Sequence, residues 1–303
     1  MNVLIAGGTG FIGRALCEAV DERGHDVTAM ARTPDASVLP EGVDVVTGDV
    51  TDPATLEGTL DGYEVVINLV DLSPLFKPPR STSHEEVQVK GTRNLLAEAE
   101  HAGVERYVQM SNIGADPEAP TDQLRSKGIS EGLVQESDLD WTIFRASVVF
   151  GEGDEFTFFS RYVSFPPFVN RLMWPYLTGL PGGGKSKFQP IWREDLVAMI
   201  AESLDSDEHV GKVYELGGPE VFTLAEIVRL VHRAEGKPAR LFPVPSVIAK
   251  AGLYTGEYIP GFPLGANQAR ALDVDNVASR NDIDVFGRTV DDLRTFSAYL
   301  GLD

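Results

Sequence analysis

The chain has 303 residues, 43% of them hydrophobic, which is enough apolar material to bury a sizeable core and excludes wholesale disorder. Asp and Glu number 46 against 26 Lys and Arg, a formal charge of −20 that repels nucleic-acid phosphates and anionic headgroups, so a nucleic-acid partner is not expected. The single cysteine, Cys17, cannot close an internal disulfide, and no window reaches the ~18 consecutive apolar residues of a transmembrane helix.

In chain order, short apolar runs predict strands over Val3–Ala6, Asp26–Ala31, Asp44–Thr47, Val65–Leu69, Arg106–Met110 and Trp141–Arg145. Amphipathic stretches between them predict helices that include Phe11–Asp21 and His84–Ala102. Strands alternating with helices imply a parallel sheet with crossover helices, an α/β doubly wound architecture. From Gly151 onward glycine and proline become denser and the alternation weakens, which marks a smaller, irregular second domain. The aromatic stretch Phe156–Leu180 is broken by Arg161, Arg171 and several prolines, so it is expected to line a pocket or meet a partner rather than cross a bilayer. A first strand this close to the N-terminus leaves no room for a leader, and a cytoplasmic protein is expected.

The first strand runs into Gly7-Gly8-Thr9-Gly10-Phe11-Ile12-Gly13, which opens the first helix. Gly7 permits a tight turn, Gly10 lets backbone approach a pyrophosphate, and Gly13 lets helix and sheet close while the helix N-terminus faces the anion. Glycine between a strand and a helix, inside a repeated strand–helix pattern, predicts dinucleotide binding in a Rossmann-type sheet with a smaller C-terminal substrate domain. Residues 1–152 and 188–217 are assigned to the dinucleotide domain, and 153–187 and 218–303 to the substrate or partner domain.

After the second strand, where such folds often place an acid for the ribose 2′-hydroxyl, this chain has Arg32. An arginine there favours a 2′-phosphate by about 1.5–3 kcal/mol, roughly 10- to 100-fold, so NADP(H) is expected ahead of NAD(H). The competing reading is a solvated arginine neutralised by Asp35.

The GxxGxxG spacing resembles the extended and atypical short-chain dehydrogenase/reductase superfamily, and several later segments extend the resemblance along nearly the whole chain. Gly48-Asp49-Val50-Thr51-Asp52 is similar to the segment whose aspartate contacts adenine, which implies Asp49 and Val50 as adenine neighbours; the same segment reads as a cap, with Asp52 before Pro53 starting a helix. Asn68 and Leu69 at the end of the fourth strand, and Val148 in the loop after Asp140–Ser147, complete the implied cofactor set with Gly7, Thr9, Gly10, Phe11, Ile12, Gly13, Arg32 and Lys127. Ser111 falls where the superfamily has its catalytic serine, or alternatively caps the next segment.

The superfamily's Tyr-x-x-x-Lys sets a phenol and an ammonium four residues apart on one helix face, so that the cation lowers the phenol's pKa. Here Lys127 is kept and Gln123 stands at the tyrosine position. A glutamine amide donates a hydrogen bond but gives up no proton near neutral pH, so the resemblance implies Ser111, Gln123 and Lys127 without an ordinary acid. Lys127 reads either as a ribose-holding cation or as a solvent-facing lysine.

Pro181–Leu196, Tyr214–Glu220, Asp275-Asn276-Val277 and the closing Tyr299-Leu300 resemble the subgroup that contains the NADPH-binding accessory subunit of respiratory complex I. The resemblance implies a held cofactor with little turnover and a respiratory-complex partner at the membrane periphery; the alternative is an NADP-dependent oxidoreductase for a lipophilic carbonyl or quinone-like small molecule. Gly179–Ser186 matches GxxxxGK[ST], yet no convincing strand is expected before it and Pro190 follows where a helix should run. The five histidines are scattered without metal-ligand spacing, so no metal is expected. The evenly spread acidic charge resembles that of haloarchaeal proteins, where a Debye length of about 3 Å in molar salt screens self-repulsion.

Overall fold

The computed structural model describes residues 1–79, 81–164, 177–259 and 261–302, and the chain divides into two compact units. The first comprises Met1–Leu72, Pro78–Ala146 and Arg193–Leu216. Its strands are β1 (Asn2–Ala6), β2 (Asp26–Ala31), β3 (Asp44–Thr47), β4 (Val65–Asn68), β5 (Arg106–Asn112), β6 (Asp140–Ala146) and β7 (Lys212–Leu216). They form one sheet in the order β7-β6-β5-β4-β1-β2-β3, with every pair parallel. The central strands carry uninterrupted apolar runs because helices cover both faces: Val3, Leu4, Ile5 and Ala6 of β1 are fully buried, and so is β4 from end to end. The order reverses between β1 and β4, which makes the crevice beyond their carboxyl ends the place where such a sheet binds ligands.

The helices of this unit are α1 (Phe11–Asp21), α2 (Gly91–Ala102), α3 (Asp122–Gln135) and α4 (Arg193–Glu202). Helix α1 buries Gly13, Ala15, Leu16, Cys17 and Val20 along one face. Burial pushes the Cys17 thiol up to about 12, so it stays a neutral, apolar filler. The single helix predicted over His84–Ala102 is instead a π-helical stretch over Glu85–Lys90 that tightens into α2 at Gly91. A Cβ at Gly91 would lie 2.8 Å from a Val50 methyl, so the glycine marks where the helix closes on the loop after β3. Helix α3 starts at Thr121, whose hydroxyl accepts from the Leu124 amide at 3.2 Å.

The second unit comprises Ser73–Lys77, Ser147–Trp192 and Gly217–Asp303. Besides the two C-terminal stretches it includes Ser73–Lys77. That excursion is held by bonds that sequence spacing does not announce: the Lys77 amide donates to the Pro263 carbonyl at 2.7 Å, and the Gln268 side chain donates to the Pro74 carbonyl at 3.2 Å. The unit is built around rings, with Phe150, Phe156 and Phe296 buried and Trp192 and Tyr299 packed on them. Tyr299 closes the cluster by donating its hydroxyl to the Gly151 carbonyl at 2.8 Å.

A strand does lie before the GxxxxGK[ST] pattern, Leu177–Pro181, but it overlaps the pattern's start. The turn Gly182-Gly183-Gly184 that follows holds left-handed φ of +59°, +77° and +67°, which side chains resist. It leads into a strand at Lys187–Phe188 instead of a helix, so no helix N-terminus faces a phosphate there. Arg171 and Tyr176 of the aromatic stretch lie outside the described residues. Among the described residues no helix is long and apolar enough to cross a membrane, and no group of three His, Cys, Asp or Glu could hold a metal ion.

Candidate functional site

At the carboxyl end of β1 the backbone itself makes a cradle. Gly7 turns with φ +84° and its amide donates to the Met30 carbonyl of β2 at 2.8 Å, while the Gly10 amide donates back to Gly7 at 3.0 Å. A Cβ at Gly13 would meet the Gly7 carbonyl oxygen at 2.2 Å and Gly8 at 2.7 Å, so only glycine allows α1 to start this close to the turn. Gly8, which the motif reading passes over, is as constrained: its Cβ would fall 2.6 Å from that of Ala29.

Helix α1 has no acidic residue in its first turn, and among the described residues the amides of Phe11, Ile12 and Gly13 meet no acceptor. Gly10 is exposed and Thr9 half-buried in front of them. Arg193, the first residue of α4, lies 4.9 Å over the Phe11 ring and donates to the Phe11 carbonyl at 3.3 Å. Free amides and a helix dipole fit a pyrophosphate, while the Arg193 guanidinium beside them is paired with Glu194.

Beyond β2, Arg32 is exposed and makes no ion pair among the described residues. Asp35 is turned to its own loop, accepting from the Ser37 hydroxyl at 2.6 Å and amide at 3.0 Å, bonds that hold its carboxyl below the usual carboxylate range. Beyond β3, Asp49 accepts from the amide and hydroxyl of Thr51 at 2.9 and 2.7 Å, and the Val50 carbonyl accepts from Asn94 at 2.8 Å. Asp52 caps the short turn at Pro53, accepting from the Ala54 amide at 3.2 Å.

Beyond β4 and β5 the site is made of buried side chains. Asn68 donates to Gln109 at 3.1 Å and accepts from the Val70 amide at 3.1 Å, fixing the segment through Leu69 whose backbone runs 3.3 Å from where a Gly7 Cβ would be. Ser111 is buried and donates to Glu131 of α3. Glu131 in turn takes Arg145 of β6 through Nη2 at 2.6 Å and Nε at 3.0 Å, which holds the guanidinium charged.

Gln123 donates its amide to Asn112 Oδ1 at 2.9 Å. Lys127 is 1% exposed, so it is not a surface lysine; its ammonium donates to the Met110 carbonyl at 3.0 Å and pairs with Asp71 at 3.2 Å. Asp71 also accepts from Gln88 of the π-helical stretch and from the Leu72 amide at 2.7 Å.

The structure thus gathers Gly7, Gly10, Phe11, Ile12 and Gly13 at one end of the crevice and Ser111, Gln123 and Lys127 on the α3 side, while Val148 lies in the second unit with its amide on Asn276 at 2.7 Å. Sequence reasoning missed Asp71, Gln88, Glu131 and Arg193. Glu131 carried a readable signal: it stands four residues after Lys127 and eight after Gln123, on the same face of α3.

A family model described as NAD(P)H-binding matches residues 7–156. The chain is 29% identical over 299 residues to a mitochondrial NADH dehydrogenase [ubiquinone] 1 alpha subcomplex subunit 9 of Arabidopsis thaliana, covering 91% of this chain and 71% of that one. It is 27% identical to an NAD(P)H azoreductase of Xenophilus azovorans, over 85% of this chain and 82% of that one. Among solved structures, an NADPH-dependent quinone oxidoreductase from Escherichia coli in complex with NADPH superposes with a TM-score of 0.72 at 19% identity, covering 99% and 98% of the two chains, a likeness of fold alone.

Proposed function

We propose that this chain, similar to NAD(P)H-binding proteins and to a complex I subunit, is a member of the short-chain dehydrogenase/reductase family and an NADP(H)-binding protein which holds its cofactor with little or no dehydrogenase turnover, as an accessory subunit does. The observation that carries the reading is the face of α3. Gln123 stands where the family's phenol would, and its amide, engaged with Asn112, has no proton to give near neutral pH. Lys127 is spent on Met110 and Asp71 and presents no charge to activate an acid.

When bound, NADP(H) would supply or accept a hydride at its nicotinamide. The chain's own part is to bind: the amides at Gly10–Gly13, behind Thr9, take the pyrophosphate, and Arg32 takes the 2′-phosphate, which places NADP(H) ahead of NAD(H). Asp49 and Val50 border the adenine, while Asn68 and Leu69 form the wall beside the pyrophosphate. The excess of carboxylates suits a salt-rich cytoplasm, with attachment at the periphery of a respiratory complex.

A second reading is favoured by the likeness to the azoreductase along 82% of that protein. In it the chain is an NADP-dependent oxidoreductase for a lipophilic carbonyl or quinone-like substrate, oriented by Gln123 and Ser111, with water supplying the proton. The test is to purify the protein in molar KCl, dialyse it, denature it and identify released nucleotide by mass spectrometry, then assay NADPH oxidation with aldehydes and quinones. Near-stoichiometric NADP(H) and no oxidation is the expected result; steady turnover overturns the first reading in favour of the second.

A further inference from the structure

The pair Asp71–Lys127 is unequal in a way that bears on the nicotinamide end of the site. Lys127 is 1% exposed and Asp71 31%, so the carboxylate is the member of the pair that reaches solvent while the ammonium is buried. Asp71 sits on the segment leaving β4, three residues past Asn68, beside the point where the strand order reverses. Its position is fixed by three donors: Lys127 on Oδ2, and Gln88 and the Leu72 amide on Oδ1. Gln88 is itself held, because its backbone carbonyl accepts from Ser130 at 2.8 Å, and Ser130 lies on α3 one turn beyond Lys127. The lysine's remaining partner is the Met110 carbonyl, and it has no exposed surface from which to reach a sugar.

We propose that Asp71 is a positioning residue that keeps Lys127 out of the nicotinamide ribose site, competing with the ribose hydroxyls for the ammonium. The inference rests on the dinucleotide reading above and deepens it. A lysine that would serve a ribose is instead neutralised by a carboxylate on the segment leaving the neighbouring strand β4, and the crevice wall at that place carries an acceptor instead of a cation. Removing the carboxylate's charge frees a donor for the ribose 2′- or 3′-hydroxyl and tightens the nicotinamide half of the cofactor alone.

The experiment is a titration in molar KCl of wild type, Asp71→Asn and Asp71→Asn/Lys127→Met with NADPH and with 2′,5′-ADP, which shares the adenine half and lacks the nicotinamide ribose. Asp71→Asn is expected to bind NADPH five- to tenfold more tightly and 2′,5′-ADP unchanged, and the double variant to lose the gain. Equal tightening of both ligands, or none, overturns the proposal, because the first is a bulk effect of charge and the second means the lysine is not competed for.

Asp71→Asn leaves a buried ammonium without its counter-ion, so Gln88→Leu, which removes one of the donors holding the carboxylate, is the companion variant and should tighten NADPH two- to threefold by the same criterion. Amine acylation read by peptide mass spectrometry needs no nucleotide: Lys127 should be protected in the wild type and labelled in Asp71→Asn and Gln88→Leu. Protection in all three overturns the proposal. A wild type that binds neither ligand sinks the dinucleotide reading instead, and the labelling result still decides what Asp71 covers.

Discussion

The two ends of the crevice, proposed to take the phosphates and the nicotinamide, are made of different material. At the α1 end the groups proposed to face the ligand are backbone amides, shaped by glycines whose Cβ atoms would collide with the turn. At the β5–α3 end they are side chains, and nearly all are already engaged with one another: Ser111 with Glu131, Glu131 with Arg145, Gln123 with Asn112, Lys127 with Asp71. Backbone recognition depends on the glycines more than on the side chains at the other end, so the cradle at α1 tolerates drift in the chemistry beside β5 and α3. A side-chain centre has no such protection: on the proposed reading, the amide of Gln123 by itself leaves this end without an acid.

Substitutions should therefore split by end. The largest effect is expected from Arg145→Met, which leaves Glu131, 4% exposed, without its cation; breaking such a buried pair costs about 3–5 kcal/mol. The urea midpoint should fall accordingly, while NADPH affinity of the folded protein stays within about threefold. A large loss of affinity with little loss of stability would mean that the α3 network serves the ligand directly.

Gly13→Ala should do the reverse. The added carbon would sit 2.2 Å from the Gly7 carbonyl oxygen, so α1 must withdraw from the turn. Overpacking of this kind costs about 1–3 kcal/mol of stability, but the displaced amides should cost more than tenfold in NADPH affinity by calorimetry. Normal binding by a correctly folded variant would remove the cradle from the site. Arg32→Ala is narrower still: NADPH affinity should fall about 10- to 100-fold with NADH unaffected, the signature of a lost 2′-phosphate contact. An equal loss for both nucleotides would assign Arg32 to the general field of the site.

The same division governs what could be read in advance. Strand positions and the extent of α1 followed from apolar runs and glycine spacing, because a doubly covered parallel strand has little freedom in composition. The pairings at the other end join residues from β4, the π-helical stretch, α3, β5 and β6, and no local pattern couples Asp71 to Lys127 or Arg145 to Glu131. Even the helix over His84–Ala102 reads as one piece in the sequence, because its apolar periodicity carries no mark of the π-helical widening up to Gly91. Asp35 is a plausible partner for Arg32 by proximity, yet its Oδ1 accepts from both the amide and the hydroxyl of the nearer Ser37.

The smallest expected effect comes from His84, buried at 4% exposure where the π-helical stretch begins. Burial depresses its pKa below the ordinary 6.5, with Lys127 adding to the effect and Asp71 and Asp122 opposing it. The folded state therefore keeps the imidazole neutral at a pH where the unfolded chain has begun to bind a proton. Because the unfolded state binds more protons in that window, stability rises with pH through it and is lost as pH falls from about 6.5 toward the folded value. Melting temperature measured from pH 7.5 to 5.5, above the main carboxylate titrations, should fall in the wild type and fall less in His84→Gln. Identical slopes would mean that the charges around Asp71 and Lys127 hold His84 protonation equal in the two states, and that the nicotinamide end is more open to water than the burial of its side chains implies.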